Sequence, residues 1–241
     1  MIDNIIKNIA KTAISSFKRM ATSYPVARNA NDTGLHKIEF TPKDPFQLVQ
    51  KWYDEFETDN YIAKNSFCLS TAAKSGRVSA RNLILRRLDK DGFVIMTDSR
   101  SKKVREMEEN PMAAMTFLWV VQQNELVLSR QVRAEGLIKR LPYEEWKDIY
   151  DNEPLFAKIR AYLCYQGQEV DWDEARQEHD KIYNKFQAGN LDLSVKPDHV
   201  VAYKMKPDML EFYESLGPRI ADRVMYLMGE LGWKEPRRIW A

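Results

Sequence analysis

Residues 67–97 carry the reading that decides the fold. Phe67-Cys68-Leu69-Ser70-Thr71 alternates apolar and polar side chains, and Lys74-Ser75-Gly76 is a turn. Val78 to Leu88 is a longer alternating run, Asp89-Lys90-Asp91-Gly92 closes a hairpin, and Phe93 to Thr97 runs back. A period of two over consecutive short runs predicts antiparallel strands. Working outward, Ser101-Lys102-Lys103-Val104-Arg105-Glu106-Met107 starts a short helix that Asn110-Pro111 ends. Met112 to Val121 and Glu125 to Leu141 are long strands, and strands return at Val200 to Met205, Met209 to Glu214 and Arg223 to Met228.

Helices flank this β-rich stretch. Before it, Phe46, Val49, Trp52, Tyr53 and Phe56 share one helical face, with Asp44 as the cap and Pro45 at the first turn. After it, helices open at Pro142 and Pro154, and Asp171 to Phe186 forms a third. Roughly seven strands joined by hairpin-like connections, with helices inserted late, predict an α+β, mainly β, antiparallel barrel and not an alternating βαβ sheet.

The chain has 241 residues, 44% hydrophobic and 30% charged, enough to bury a core. Lys+Arg 37 against Asp+Glu 35 leaves a net charge of +2, which gives no field for non-specific nucleic-acid binding. The longest uncharged stretch, Pro111 to Asn124, is too short to span a membrane. Cys68 and Cys164 read as reduced thiols of a cytoplasmic protein. Residues 1–43 read as an N-terminal arm. Its start, with Ile5, Ile6, Ile9, Ala13 and Phe17 among Lys7, Lys11, Lys18 and Arg19, fits either a leading helix or a mitochondrial targeting segment.

No dinucleotide fingerprint, P-loop, nucleophile elbow or metal-ligand spacing occurs, and no metal site is expected. Three stretches are less ordinary. On the run Arg81 to Arg87, alternation puts Arg81, Leu83, Leu85 and Arg87 on one face, and Asn82, Ile84 and Arg86 on the other. An edge strand guarded by charge reads the same way. Thr97-Asp98-Ser99-Arg100-Ser101-Lys102-Lys103 runs from a strand end into a helix start. There, free N–H groups, hydroxyls and two lysines suit either a phosphate or a solvated basic turn. The third is Arg130-Gln131-Val132-Arg133-Ala134-Glu135-Gly136 with Glu211-Phe212-Tyr213 and Arg219-Ile220-Ala221-Asp222-Arg223.

Taken together and in order, these runs resemble the pyridoxamine 5′-phosphate oxidase family from about residue 44 to 241. Asp91-Gly92-Phe93, Asn110-Pro111, Trp119, Leu141-Pro142 and Gln166 add to the match. The resemblance implies an FMN-binding split β-barrel with peripheral helices, working as a homodimer. It implies oxidation of pyridoxamine or pyridoxine 5′-phosphate at C4′ to pyridoxal 5′-phosphate, with O2 as acceptor. A diverged flavin-binding protein with another small substrate is the alternative.

Residue by residue, the resemblance assigns Arg81, Lys102, Lys103 and Gln166 to the FMN phosphate. Leu83, Ile84, Met96 and Thr97 fall to the flavin, and Gln131, Tyr213 and Arg223 to its polar edge. Arg86 would hold the substrate phosphate and Arg219 would orient the substrate as the catalytic residue. These cations converging unpaired on an empty barrel would be costly, which speaks for a ligand. The substrate side departs from the family. Ile149, Glu153 and Ala157 stand where a Tyr, an Arg and a Ser are usual, and Ala221 stands where a His is usual. A carboxylate at 153 would oppose a substrate phosphate by about 3 kcal/mol per like-charge interaction at roughly 5 Å and an effective dielectric of about 20.

Overall fold

The computed structural model describes residues 34–123 and 126–241. Every strand pair in it is antiparallel. In chain order the elements are α1 (Pro45–Glu55), α2 (Tyr61–Asn65), β1 (Ser66–Ala72), β2 (Val78–Ile84), β3 (Arg87–Asp89), β4 (Gly92–Asp98), α3 (Lys102–Glu109), β5 (Met112–Gln123) and β6 (Leu126–Arg140). A 3₁₀ turn at Tyr143–Glu145 leads to α4 (Lys147–Asp151), α5 (Leu155–Leu163) and α6 (Trp172–Gln187). Then follow β7 (Val200–Leu216), β8 (Asp222–Gly229), β9 (Gly232–Trp233) and β10 (Arg237–Arg238). The leading helix or targeting segment proposed for the first residues lies outside the described residues, as does Glu125.

The main path of the sheet runs β10-β8-β7-β6-β5-β1-β2, and β4 joins it through β7. The long strand β7 curls this sheet. Its first half pairs with β4 on one side, its second half with β8, and β6 accompanies both. At the changeover Gly136 faces Pro207 and the register shifts, a bulge that bends the strand and gives the proline a place without a ladder N–H. A side chain at 136 would meet the Lys206 carbonyl at 2.4 Å, so the close approach requires glycine. The result is the mainly β, α+β antiparallel barrel that the alternation predicts, split and flanked by peripheral helices as the resemblance implies.

The core lies on one face of the sheet. Phe117, Val132, Phe212 and Val224 stand opposite one another across β5, β6, β7 and β8, all essentially buried. Phe67 stacks on Phe117 at 5.0 Å between centroids, and Phe93 packs on Phe117 at 5.3 Å. Helix α1 covers this face. Pro45 starts it, the Asp44 carboxylate accepts from the Phe46 N–H at 3.0 Å, and Trp52 meets Phe212 edge-on.

Three boundaries differ from the sequence reading. Val78–Leu88 is not one strand: it breaks at Leu85-Arg86, where the Leu85 N–H turns to the Asn65 carbonyl. The two strands read at 200–205 and 209–214 are one, because the bulge absorbs Pro207. The roughly seven strands become ten, partly through the short β9 and β10.

Candidate active site

The basic turn is built where β4 ends and α3 begins. Ser101 is the N-cap residue and α3 presents its first turn to Lys102 and Lys103. The Lys103 ammonium is buried. It donates to Thr97 Oγ1 at 3.0 Å, Ser101 Oγ at 3.1 Å and Gln166 Oε1 at 2.8 Å. All three acceptors are neutral, and no carboxylate among the described residues pairs with it. Burial, with Arg81 nearby, pushes its pKa down to about 8. A buried ammonium held only by neutral oxygens makes this corner a candidate anion site.

Arg81 points into the same corner, donating to Thr71 Oγ1 at 2.6 Å and to Glu106 Oε2 at 3.1 Å. Lys102 donates to Ser79 Oγ at 2.6 Å and lies 3.4 Å from Glu106 Oε1. Burial alone would raise the Glu106 carboxyl. Hydrogen bonds from Thr71, Ser79, Lys102 and Arg81 outweigh it and hold the pKa near 2. The expectation of unpaired converging cations is therefore corrected: Glu106 neutralises part of the corner. Three cations against one carboxylate still leave it positive. The sequence reading omitted Glu106, although its spacing of four from Lys102 on a helix was a usable signal.

Beside this corner lies a pocket lined by Arg86, Met96, Thr97, Glu153 and Gln166, with Tyr150, Ala157, Arg160 and His199 completing the wall. Thr97 and Gln166 thus serve both the pocket and Lys103. The break after β2 turns the Arg86 guanidinium to Glu153 Oε1 at 2.9 Å, with side chains 16% and 6% exposed. Glu153 Oε2 is buried with no hydrogen-bond partner among the described residues. His199 Nε2 sits 2.8 Å from the Ala161 carbonyl oxygen, a packed imidazole. Ile149 packs against the small cluster of Trp146 and Tyr150.

The remaining predicted residues lie elsewhere in the chain. Leu118, Gln131, Tyr213 and Arg223 stand opposite one another across β5–β8, on the face away from the core. Arg223 stacks over Tyr213, its Nε is buried without a hydrogen-bond partner among the described residues, and Glu211 Oε1 lies 3.8 Å away. Leu118 and Val120 are exposed beside them, 58% and 52%. Leu83 packs toward the core while its neighbour Ile84 alternates to the other face. Arg219 sits in the exposed turn after β7 and does not line the Arg86 pocket. Ala221 lines a separate groove with Asp222 and Trp240.

Comparison with known proteins agrees with this architecture. The family model described as pyridoxamine 5′-phosphate oxidase matches residues 55–180. The chain belongs to the pyridoxamine 5′-phosphate oxidase family. A family member from Salinibacter ruber, named pyridoxine/pyridoxamine 5′-phosphate oxidase, is 34% identical over 76% of this chain and 82% of its own length. The pyridoxine-5′-phosphate oxidase of Bos taurus is 29% identical over 84% of this chain and 75% of its own. Among solved structures, PhzG from Burkholderia lata 383, in complex with tetrahydrophenazine-1-carboxylic acid, has a TM-score of 0.73 at 21% identity, covering 86% of this chain and all of that one. A pyridoxamine 5′-phosphate oxidase-related, FMN binding protein from Nostoc punctiforme has a TM-score of 0.62 at 16% identity, covering 84% and 99%. These two likenesses concern the split-barrel fold of the family.

Proposed function

We propose that this family member is an FMN-dependent oxidase of a small B6-type substrate, and that it works as a homodimer. The observation that carries the reading is the buried Lys103 ammonium, held by three neutral oxygens at a helix start beside Arg81 and Lys102. A phosphate dianion fits that corner: it would add the one kind of acceptor the ammonium lacks, near free N–H groups of α3. The absence of any dinucleotide fingerprint favours FMN over FAD.

Bound there, the flavin would supply two-electron oxidation of the substrate, with O2 taking the electrons. Arg81, Lys102, Lys103 and Gln166 would hold the phosphate, and Thr97, Leu83, Ile84 and Met96 would serve the flavin. Gln131, Tyr213 and Arg223 would supply a polar edge, where a fixed guanidinium would stabilise the negative charge that the electron acceptor gains. These three share the outward face with exposed Leu118 and Val120. A second copy laid on that face would bring them to the first copy's Lys103 corner and cover the leucine and valine. Arg219, on an exposed turn, would orient substrate from the second copy in the same way.

The absorption spectrum of the purified protein tests the reading. A flavin band is expected, and FMN should be released on denaturation. Arg81→Ala combined with Lys103→Ala should purify colourless. A double variant as yellow as the parent would put the phosphate elsewhere.

A further inference from the structure

The pocket beside the Lys103 corner is built unlike a phosphate site. Its charged lining consists of Arg86 and Arg160 against Asp98 and Glu153. Arg86 is committed to Glu153 at 2.9 Å, and Asp98 to Arg100 at 2.6 Å. Arg160 is exposed and bears the pocket's one cationic group outside an ion pair among the described residues. A site for a dianion gathers cations in excess, as the Lys103 corner does with three against Glu106. This pocket has a surplus acceptor: Glu153 Oε2, on a side chain more than nine-tenths buried, with no donor among the described residues. A buried carboxylate oxygen left without a donor is costly, and an O–H or N–H placed against it recovers that cost.

We propose that this pocket takes the hydroxyl or ammonium arm of a non-phosphorylated substrate, with Glu153 Oε2 as the acceptor and Arg86 as the group that holds Glu153 in place. The inference rests on the oxidase reading for calling the ligand a substrate; the recognition itself rests on the pocket. A phosphate ester entering here brings two negative charges toward a carboxylate whose only cation is already engaged. An alcohol of the same skeleton brings a donor to an oxygen that needs one.

The test is calorimetric titration of the purified protein with pyridoxine and, separately, with pyridoxine 5′-phosphate, two probes that differ only at that arm. Pyridoxine should bind at least tenfold more tightly. Glu153→Gln, which keeps the shape and removes the charge, should shrink the preference severalfold, mainly by improving binding of the phosphate ester; a melting curve establishes that the variant is folded. Tighter binding of the phosphate ester by the parent, binding of neither probe, or an unchanged ratio in folded Glu153→Gln would each overturn the proposal. The absorption spectrum of the same sample keeps the two readings apart. A yellow protein that prefers the phosphate ester refutes this inference alone, and a colourless protein that prefers the alcohol refutes the flavin reading alone.

Discussion

Lys103 Nζ donates to Gln166 Oε1 at 2.8 Å, joining the first turn of α3 to the loop after α5. A residue from the β-rich part of the chain and one from the helical insertion thereby share a single buried charge. The pKa of that charge, near 8 and lowered chiefly by burial, makes the corner sensitive to pH in the range where the protein can be handled.

The sign is fixed by linkage. A phosphate ligand favours protonated Lys103, so FMN affinity should be full below about pH 8. It should fall as pH rises through that value, by at most tenfold per unit. The ligand-free fold should respond the opposite way. Lys103 holds its proton less well folded than unfolded, so its burial cost is fully present below about pH 8. That cost fades as pH rises toward the ordinary lysine value. Fluorescence titration of FMN between pH 6.5 and 9.5 reads the first effect, and Lys103→Gln should flatten the profile. An affinity that rises with pH would remove Lys103 from the phosphate site.

The outward row Leu118, Gln131, Tyr213 and Arg223 gives a prediction about assembly. Leu118→Glu with Val120→Glu places charge on the exposed face without touching the core row Phe117, Val132, Phe212 and Val224. A homodimer interface of the obligate kind buries roughly 2,000 Å² or more and tolerates such charges poorly. Light scattering should show the parent as a dimer and the variant as a folded monomer that has lost its flavin. A monomeric parent that retains flavin would show that one copy completes the site.

How far the sequence announced all this depends on the range of the interaction. The hairpin of β3 and β4, the Asp44-Pro45 start of α1 and the Asp171 cap of α6 are local, written in alternation and in residues two or three apart. The Lys103 corner was legible as a basic helix start. Its carboxylate was announced only by the spacing of four between Lys102 and Glu106, because Glu106 meets Arg81 only after β2 and α3 pack together. The resemblance put Arg86 and Glu153 at one substrate phosphate, but their ion pair was not written locally: a break after β2, not alternation, turns Arg86 onto Glu153. The runs at 200–205 and 209–214 read as two strands, and Gly136, far away in sequence, is what lets β7 continue through the Pro207 between them.

That last dependence can be measured. In Gly136→Ala the new Cβ would lie 2.4 Å from the Lys206 carbonyl oxygen and 2.7 Å from the Pro207 Cα. Both are backbone atoms, so no side-chain rotation relieves the clash. The variant should lose more than about 2 kcal/mol of stability in urea unfolding. Gly76→Ala is the comparison: it faces open space at φ 84° and should lose only the smaller cost of a left-handed residue. Equal losses would mean that the β6–β7 bulge is not under steric constraint.

Reversing the charge at 153 is the decisive change for substrate choice. In the parent, Glu153 neutralises Arg86 and would repel a phosphate arriving beside them. Glu153→Arg frees Arg86 and adds a second cation, exchanging one repulsion for attractions of about 3 kcal/mol each at roughly 5 Å and an effective dielectric of about 20. Pyridoxine 5′-phosphate should then bind at least tenfold more tightly, since about 1.4 kcal/mol is tenfold, and pyridoxine should bind more weakly. The ligand-free variant should melt lower than the parent, because two neighbouring guanidinium groups replace an ion pair, and phosphate should restore part of the loss. Ala157, buried in the same wall, gives a milder companion: Ala157→Ser should add one hydrogen bond to the bound phosphate, worth about 1.5 kcal/mol or somewhat more. Parent turnover of pyridoxamine 5′-phosphate equal to that of an ordinary family member, unchanged in Glu153→Arg, would mean that other cations hold the phosphate. Arg160, in the same pocket, and Lys158, on the same helix, would be the first to replace.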